Sequence, residues 1–434
     1  MQYTLFLLLS LALVCCLLIY RNDITAPSIS FCFPFVVCTF VAILNTTNWS
    51  LNLNLTAFLI VLLGVLSFIL GTFTIKYGSA LLRKNKHLST LNDNNIIDIP
   101  KIKLLIFLIF QILVRILQYY AIRRNVGGGS FNSMISSYHY MSEQNTLTYD
   151  PFFIRFGNIL CNASGYLLGY ILINNYFKNK KNSKLLVFNV IISILGSMFS
   201  GQRTDAFAII MAIFAYYFIL VNRTQKWGIN FSIKRVTVFL LIIVLFVISF
   251  RSLGMLLGRG SDINPSDYFF SYLGAQIKNL SIITSNGFFH SNIWGVNTFQ
   301  QLYGVIGKSN NNALLNNNYT YNFVNGHPLG NVYSTFEPYF LDFGLKGVVI
   351  ISYIMGMFSQ YVYGRVKYIS NSKNRYIDYN AILYGYIYFP IVFSFFSNKF
   401  FEMVFSIRLI YYTFALFLLS IFLLKKNITK WEMG

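Results

Sequence analysis

Long apolar runs, recurring from one end of the chain to the other, decide what this sequence can fold into. A helix needs about 20 mostly apolar residues to cross the hydrocarbon core of a bilayer. Runs on that scale fall near residues 3–20, 28–45, 53–75, 104–121, 152–174, 185–201, 205–221, 236–257, 343–363, 380–397 and 403–424. None alternates with period two, so they read as helices rather than as strands of a closed barrel, the other way a backbone is satisfied in lipid. The expectation is an all-α fold: a polytopic transmembrane helical bundle of about eleven spans, one integral membrane domain over residues 1–434. Composition leads the same way. Charged residues make up 11% of the chain, against about 25% in soluble domains, too few to clothe a water-facing surface. The first run, Leu5–Ile19, has no Lys or Arg before it and no small-residue cleavage site, so it reads as a first span and not as a removed signal peptide.

The formal net charge is +21, from 34 Lys+Arg against 13 Asp+Glu. In a soluble protein that excess would raise nucleic acid as a partner. Here the basic residues crowd into short loops between apolar runs: Lys76 to Lys103, Lys178 to Lys184, Arg223 to Arg235, Arg365 to Arg375, and the tail Lys425, Lys426 and Lys430. Such loops set topology and meet anionic membrane lipids, so no nucleic acid is expected. The positive-inside rule places them in the cytoplasm, the N-terminus outside and the C-terminus inside. Three segments then face outward: about 122–151, the tight connection Gly201-Gln202-Arg203-Thr204, and the longest loop, 258–342. A loop that long implies a function of its own. Apolar periodicity around Tyr268–Ile283 sets Tyr268, Tyr272, Ala275 and Asn279 on one face, so short amphipathic helices at the outer interface are expected there.

Cys15, Cys16, Cys32, Cys38 and Cys161 all lie in apolar stretches without metal-ligand spacing, and the four histidines form no HExxH or HxxxH pair, so no metal site is expected. P-loop, GxGxxG and GxSxG motifs are missing, and Gly127-Gly128-Gly129 reads as a hinge rather than a phosphate cradle. Ionisable groups near membrane depth are therefore the candidates. Arg203 stands at the outward start of a helix, where anions are favoured, and its planar fork suits a pyrophosphate. Asp205 beside it caps the helix or contacts substrate; the bland alternative is a local Arg203–Asp205 pair. Arg251 and Arg259 share one side of a continuing helix and assist Arg203, or else snorkel to the interface. Glu337 and Asp342 lead from the long loop into the next span, as site carboxylates or as helix-start acids complementing the dipole. His290 and His327 lie in the same loop and are candidate general bases, or simply loop hydrogen-bonding residues. Arg115 and Arg155 are placed to line an interior cavity.

The layout resembles the bacterial O-antigen (oligosaccharide repeat-unit) polymerases of the Wzy type. The segments that carry the resemblance are Gly201–Phe207, Tyr268–Gly274 and Tyr333–Gly347, with the Tyr-Phe-Leu-Asp-Phe-Gly-Leu-Lys-Gly stretch at 339–347. The resemblance implies a glycosyltransferase of the bacterial inner membrane. It would work at the periplasmic face without metal or cofactor, moving a growing glycan from undecaprenyl pyrophosphate to the terminal sugar of a new lipid-linked repeat unit. In that chemistry Arg203, Arg251 and Arg259 hold the departing pyrophosphate; His327, His290 or Glu337 serves the acceptor hydroxyl; and Tyr303 and Trp294 stack on sugars, with Asp205 and Asp342 as further substrate contacts. A separate chain-length regulator is a candidate partner on the same ground. An O-antigen ligase has nearly the same layout with a different acceptor. A lipid-linked oligosaccharide flippase or other transporter would ordinarily show internal repeats, and this chain has no clear one.

Overall fold

The structure is a computed structural model that describes residues 1–21, 23–78, 86–90, 96–143, 146–180, 182–227, 264–285, 293–305, 321–370 and 377–424. It is an all-α polytopic bundle. In chain order the helices are α1 Gln2–Ile19, α2 Pro27–Leu44, α3 Leu55–Gly78, α4 Lys101–Val126, α5 Phe131–Glu143, α6 Phe152–Phe177, α7 Lys184–Ser197, α8 Thr204–Thr224, α9 Pro265–Ser285, α10 Gln300–Val305, α11 Phe336–Lys367, α12 Tyr379–Val392, α13 Lys399–Met403 and α14 Ile407–Leu423. Each apolar run read from the sequence coincides with one of these helices, except 236–257, which lies outside the described residues. Seven of the described helices are long and apolar enough to cross a membrane, and Lys184–Ser200 and Ile407–Leu423 are shorter apolar helices.

The tightest helix pair is α3 with α11. A Cβ at Gly71 would lie 2.1 Å from the carbonyl oxygen of Tyr353, and one at Gly356 would lie 2.1 Å from that of Phe68. The two backbones therefore touch through glycine, the way helices associate where no hydrophobic drive separates side chain from lipid. The outer surfaces of α4 and α14 stay apolar and exposed, as a lipid-facing wall should.

One end of the bundle gathers the loops between basic-flanked helices and is closed by buried polar clasps. Arg223, in the last turn of α8, is paired with Asp378 ahead of α12, and its Nε donates to Ser89 Oγ at 3.0 Å. Asp23 accepts from Thr25 Oγ1 at 2.8 Å, Asn222 Nδ2 at 2.9 Å and the Tyr363 hydroxyl. A two-stranded ladder, β1 Lys86–Leu88 with β4 Tyr368–Ser370, ties the loop after α3 to the end of α11. Trp227 Nε1 donates to Ser89 O at 2.7 Å in the same knot.

At the other end α9 covers Tyr268–Ile283, the stretch whose periodicity predicts an amphipathic helix. It is a single helix of 21 residues whose inner face docks onto protein. A Cβ at Gly274 would meet Val41 of α2 at 2.7 Å, and Cys38 Sγ of α2 reaches Gln276 Oε1 at 3.5 Å. Asn54, ahead of α3, donates from Nδ2 to Ser281 O at 3.0 Å and Thr284 Oγ1 at 2.8 Å. Gln276 and Asn279 are fully buried. Buried amides must find partners, and those supplied by α2, the residues before α3 and a small hairpin hold α9 against the bundle. That hairpin pairs β2 Asn322–Val324 with β3 His327–Gly330. Asn279 Nδ2 fastens it by donating to Leu329 O at 3.1 Å and Val332 O at 3.0 Å.

Candidate functional site

α7 ends in a short 3-10 turn over Met198–Ser200, and Gly201 at φ 77° reverses the chain so that Arg203 becomes the N-cap residue of α8. A Cβ at 201 would stand 2.6 Å from His139 Cβ on α5, so both the left-handed backbone and the crowding call for glycine. The turn presents Arg203 to α9. Its Nη1 donates to the Tyr268 hydroxyl at 2.9 Å and its Nη2 to the Tyr272 hydroxyl at 3.2 Å, two positions one helical turn apart. Burial pushes the Tyr268 phenol up to about 12; Tyr272 adds to the shift and Arg203 opposes it. Tyr268 therefore holds the guanidinium as a neutral hydroxyl and not as a phenolate.

The residue before Tyr268 on α9 is Asp267, whose Oδ1 lies 3.1 Å from His327 Nδ1 at the start of β3. The two side chains are 19% and 30% exposed. In the neutral ring this contact favours the proton on Nδ1 and leaves the Nε2 lone pair as the basic position. One turn of α9 thus serves both Arg203 and His327, the arginine from its tyrosines and the histidine from its aspartate.

A second unit holds Trp294 and Tyr303. Asp342 accepts from Asn297 Nδ2 at 2.8 Å and from the Thr298 backbone N–H at 2.7 Å, and so clamps residues 297–298 onto α11. Trp294 is 72% exposed. Its ring stacks on Phe299 at 5.5 Å between centroids and meets Phe343 edge-on at 5.3 Å. The Tyr303 hydroxyl donates to Trp294 O, so Tyr303 braces the turn that carries the indole. Immediately past Phe343, Gly344 at φ 64° and ψ −161° breaks α11, separating Phe336–Phe343 from the long apolar run that follows.

A third cluster surrounds Asp205. Its carboxylate pairs with Arg408 at the start of α14 and accepts from Asn162 Nδ2 of α6 at 3.1 Å. Asn162 Oδ1 in turn accepts from Arg115 Nη2 of α4 at 3.0 Å. The segment from Phe393 to Ser406 joins all three units. Phe396 stacks on Tyr272 at 5.6 Å, Asn398 Nδ2 donates to Thr298 O at 3.1 Å, and Ser406 is the N-cap residue of α14.

Of the residues singled out from sequence, the structure brings Arg203 and His327 to the same turn of α9. Asp342, Trp294 and Tyr303 form the neighbouring unit, and Asp205 belongs to the third. Glu337 is only 3% exposed, and its Oε1 has no hydrogen-bond partner among the described residues. Arg155 sits exposed beside Asp150 at 3.4 Å and does not line the interior, whereas Arg115 does. Arg251, Arg259 and His290 lie outside the described residues. The sequence reading missed Asp267, Asn162 and Arg408. A lone arginine at the head of the last apolar run was the available signal for Arg408. Among the described residues no group of three or more His, Cys, Asp or Glu side chains is placed to hold a metal ion.

The sequence model of the O-antigen polysaccharide polymerase Wzy family matches residues 1–432. No curated protein and no solved structure matches the chain.

Proposed function

The chain belongs to the O-antigen polysaccharide polymerase Wzy family, and from that premise we propose that it moves a growing glycan from undecaprenyl pyrophosphate onto the terminal sugar of a lipid-linked oligosaccharide repeat unit, at the periplasmic face of the bacterial inner membrane. Members of the family are polymerising glycosyltransferases of multi-pass membrane type. The observation that carries the finer reading is the convergence on one turn of α9: Arg203 on Tyr268 and Tyr272, and His327 on Asp267.

In the proposed reaction the acceptor hydroxyl oxygen attacks the anomeric carbon of the growing chain. The bond from that carbon to the diphosphate oxygen breaks, and the diphosphate leaves with the electron pair. Positive charge builds on the sugar and negative charge on the leaving group. A guanidinium already in place stabilises that negative charge without reorganising at the moment of reaction. His327 Nε2 takes the hydroxyl proton, with Asp267 steadying the imidazolium that forms. His327 is preferred to Glu337 for this step because the glutamate is buried while the imidazole is reachable. Exposed Trp294 offers a face on which a sugar ring can stack.

The test is a ladder assay. Purified protein supplied with lipid-linked repeat units is expected to produce a glycan ladder. Arg203→Ala is expected to reduce extension by about 10²–10³-fold, the range for removing one preplaced donor to a developing anion, while the variant stays folded in the membrane. A full ladder from that variant removes Arg203 from the mechanism. Transport of label without lengthening points to a flippase, and product formed only on lipid A-core points to a ligase.

A further inference from the structure

Arg203 is held by two phenols, and one of those phenols is itself held from outside α9. The Tyr272 ring touches two others. Tyr268, one turn earlier on the same helix, meets it at 4.9 Å between centroids with the planes tilted by 45°. Phe396 meets it at 5.6 Å with the planes 6° apart. The guanidinium carbon of Arg203 stands 5.5 Å from the Tyr272 centroid, and its Nη2 donates to the Tyr272 hydroxyl at 3.2 Å. A phenol hydroxyl travels with its ring, so whatever fixes the ring's rotamer fixes the acceptor offered to the arginine. Tyr268 shares α9 with Tyr272 and moves with it. Phe396 reaches the ring from the segment between α12 and α13.

That segment is tied down by its backbone. After α12 the chain makes a 3-10 turn over Phe393–Phe395. The Phe396 N–H donates to Phe393 O at 2.9 Å, and Phe396 O accepts from the Ser334 N–H at 3.2 Å. Beside that bond, the Thr335 N–H donates to Ser394 O at 2.8 Å. Ser334 is 3% exposed and stands at φ 76°. A non-glycine residue there is strained, and such strain persists only where the surroundings over-determine it, most often at functional sites. Here the strained residue is the one whose N–H holds Phe396. Asn398 adds a further tie, donating from Nδ2 to Thr298 O at 3.1 Å and accepting from the Tyr339 hydroxyl at 2.9 Å. Phe395 is buried in the core, whereas Phe396 stays half-buried at its edge with its ring on Tyr272.

We propose that Phe396 is a positioning residue for the reaction at Arg203: by stacking on Tyr272 it fixes the hydroxyl that holds the guanidinium in place for the departing diphosphate. The inference rests on the polymerase reading and deepens it. Phe396 itself touches neither substrate nor Arg203; it acts through Tyr272.

The test measures ladder synthesis by the full-length protein in nanodiscs, per folded molecule. Phe396→Leu is expected to lower kcat about three- to tenfold, the equivalent of one aromatic pair, with KM unchanged, because a guanidinium that meets charge developing in the transition state shows in kcat. Phe396→Tyr keeps the ring and is expected to retain wild-type kcat. Tyr272→Leu removes the link, so adding Phe396→Leu to it is expected to change nothing further. Losses that multiply in the double variant overturn the proposal, as does a Phe396→Tyr variant as slow as Phe396→Leu, or a rise in KM at constant kcat. A lowered melting temperature with kcat per folded molecule unchanged marks a purely structural ring and overturns it too. A fluorine label on the Tyr272 ring reads the contact without the reaction, and its resonance is expected to shift in Phe396→Leu and in Arg203→Gln alike. Those shifts in a protein that makes no ladder leave the stack standing and remove the polymerase reading. A resonance unmoved in Phe396→Leu overturns the stack itself.

Discussion

The two ends of the bundle use the same pair of residues to different purpose. At the end where Trp227 and β1 lie, Arg223 is paired with Asp378, the side chains 0% and 7% exposed. At the opposite end Arg408 is paired with Asp205 at 29% and 16%, and His327 with Asp267 at 30% and 19%. A pair sealed from water does not exchange partners: separating it leaves a bare charge in a poor solvent. A partly exposed pair contributes little to stability. The contrast divides the molecule into an end that is locked and an end that is available. One helix, α8, reaches both ends, with Arg223 in its last turn paired with Asp378 and Arg203 at its N-cap bonded to Tyr268 and Tyr272.

The largest expected effect follows from breaking the locked pair. Asp378→Ala leaves Arg223 buried with Ser89 Oγ and Val366 O as its remaining named acceptors. The expected loss is about 3–5 kcal/mol of stability, the range for removing one partner of a buried pair. It should be read as a large drop in melting temperature in detergent, with ladder synthesis per folded molecule unchanged. A melting temperature equal to that of wild type would show that this end is not the lock described above.

The available end should respond in the opposite sense. His327→Ala is expected to slow ladder extension about 10²-fold or more, the typical contribution of a positioned base. Asp267→Asn should slow it less, since the imidazole stays but its orientation is no longer secured. Neither change should move the melting temperature by more than a surface substitution does. Equal losses of stability in His327→Ala and Asp378→Ala would erase the distinction between the ends.

This division was only half legible in the sequence. The spans were, because apolar length is a local property that lipid enforces directly. So was the turn at Gly201, where a glycine between two apolar runs leaves little choice, and so was the shared face of Tyr268, Tyr272, Ala275 and Asn279, now seen to be the face that meets Arg203 and the hairpin. The partners were not legible. Asp205 and Arg408 are 203 residues apart and meet only because α8 and α14 start at the same end. Asp267 and His327, 60 residues apart, meet only because Asn279 fixes the hairpin on α9. Periodicity reports which face of a helix turns inward, but not which other helix it will find there.

The smallest expected effect concerns Trp294 and separates binding from chemistry within the available end. Its indole is exposed, yet its backbone is held by the Tyr303 hydroxyl and by the Asp342 clamp one turn away. A rigid, exposed aromatic face stacks on a sugar ring in the ground state and in the transition state alike, and such uniform binding appears in KM and not in kcat. Trp294→Ala is therefore expected to raise KM for the repeat unit by about two- to tenfold, the equivalent of one aromatic contact, at unchanged kcat. Tyr303→Phe keeps the ring and loses only the brace, so its effect should follow the same pattern at smaller size. A fall in kcat with KM constant would place Trp294 at the reacting centre beside His327, and the available end would then be one continuous catalytic surface instead of a reaction centre with a separate sugar platform.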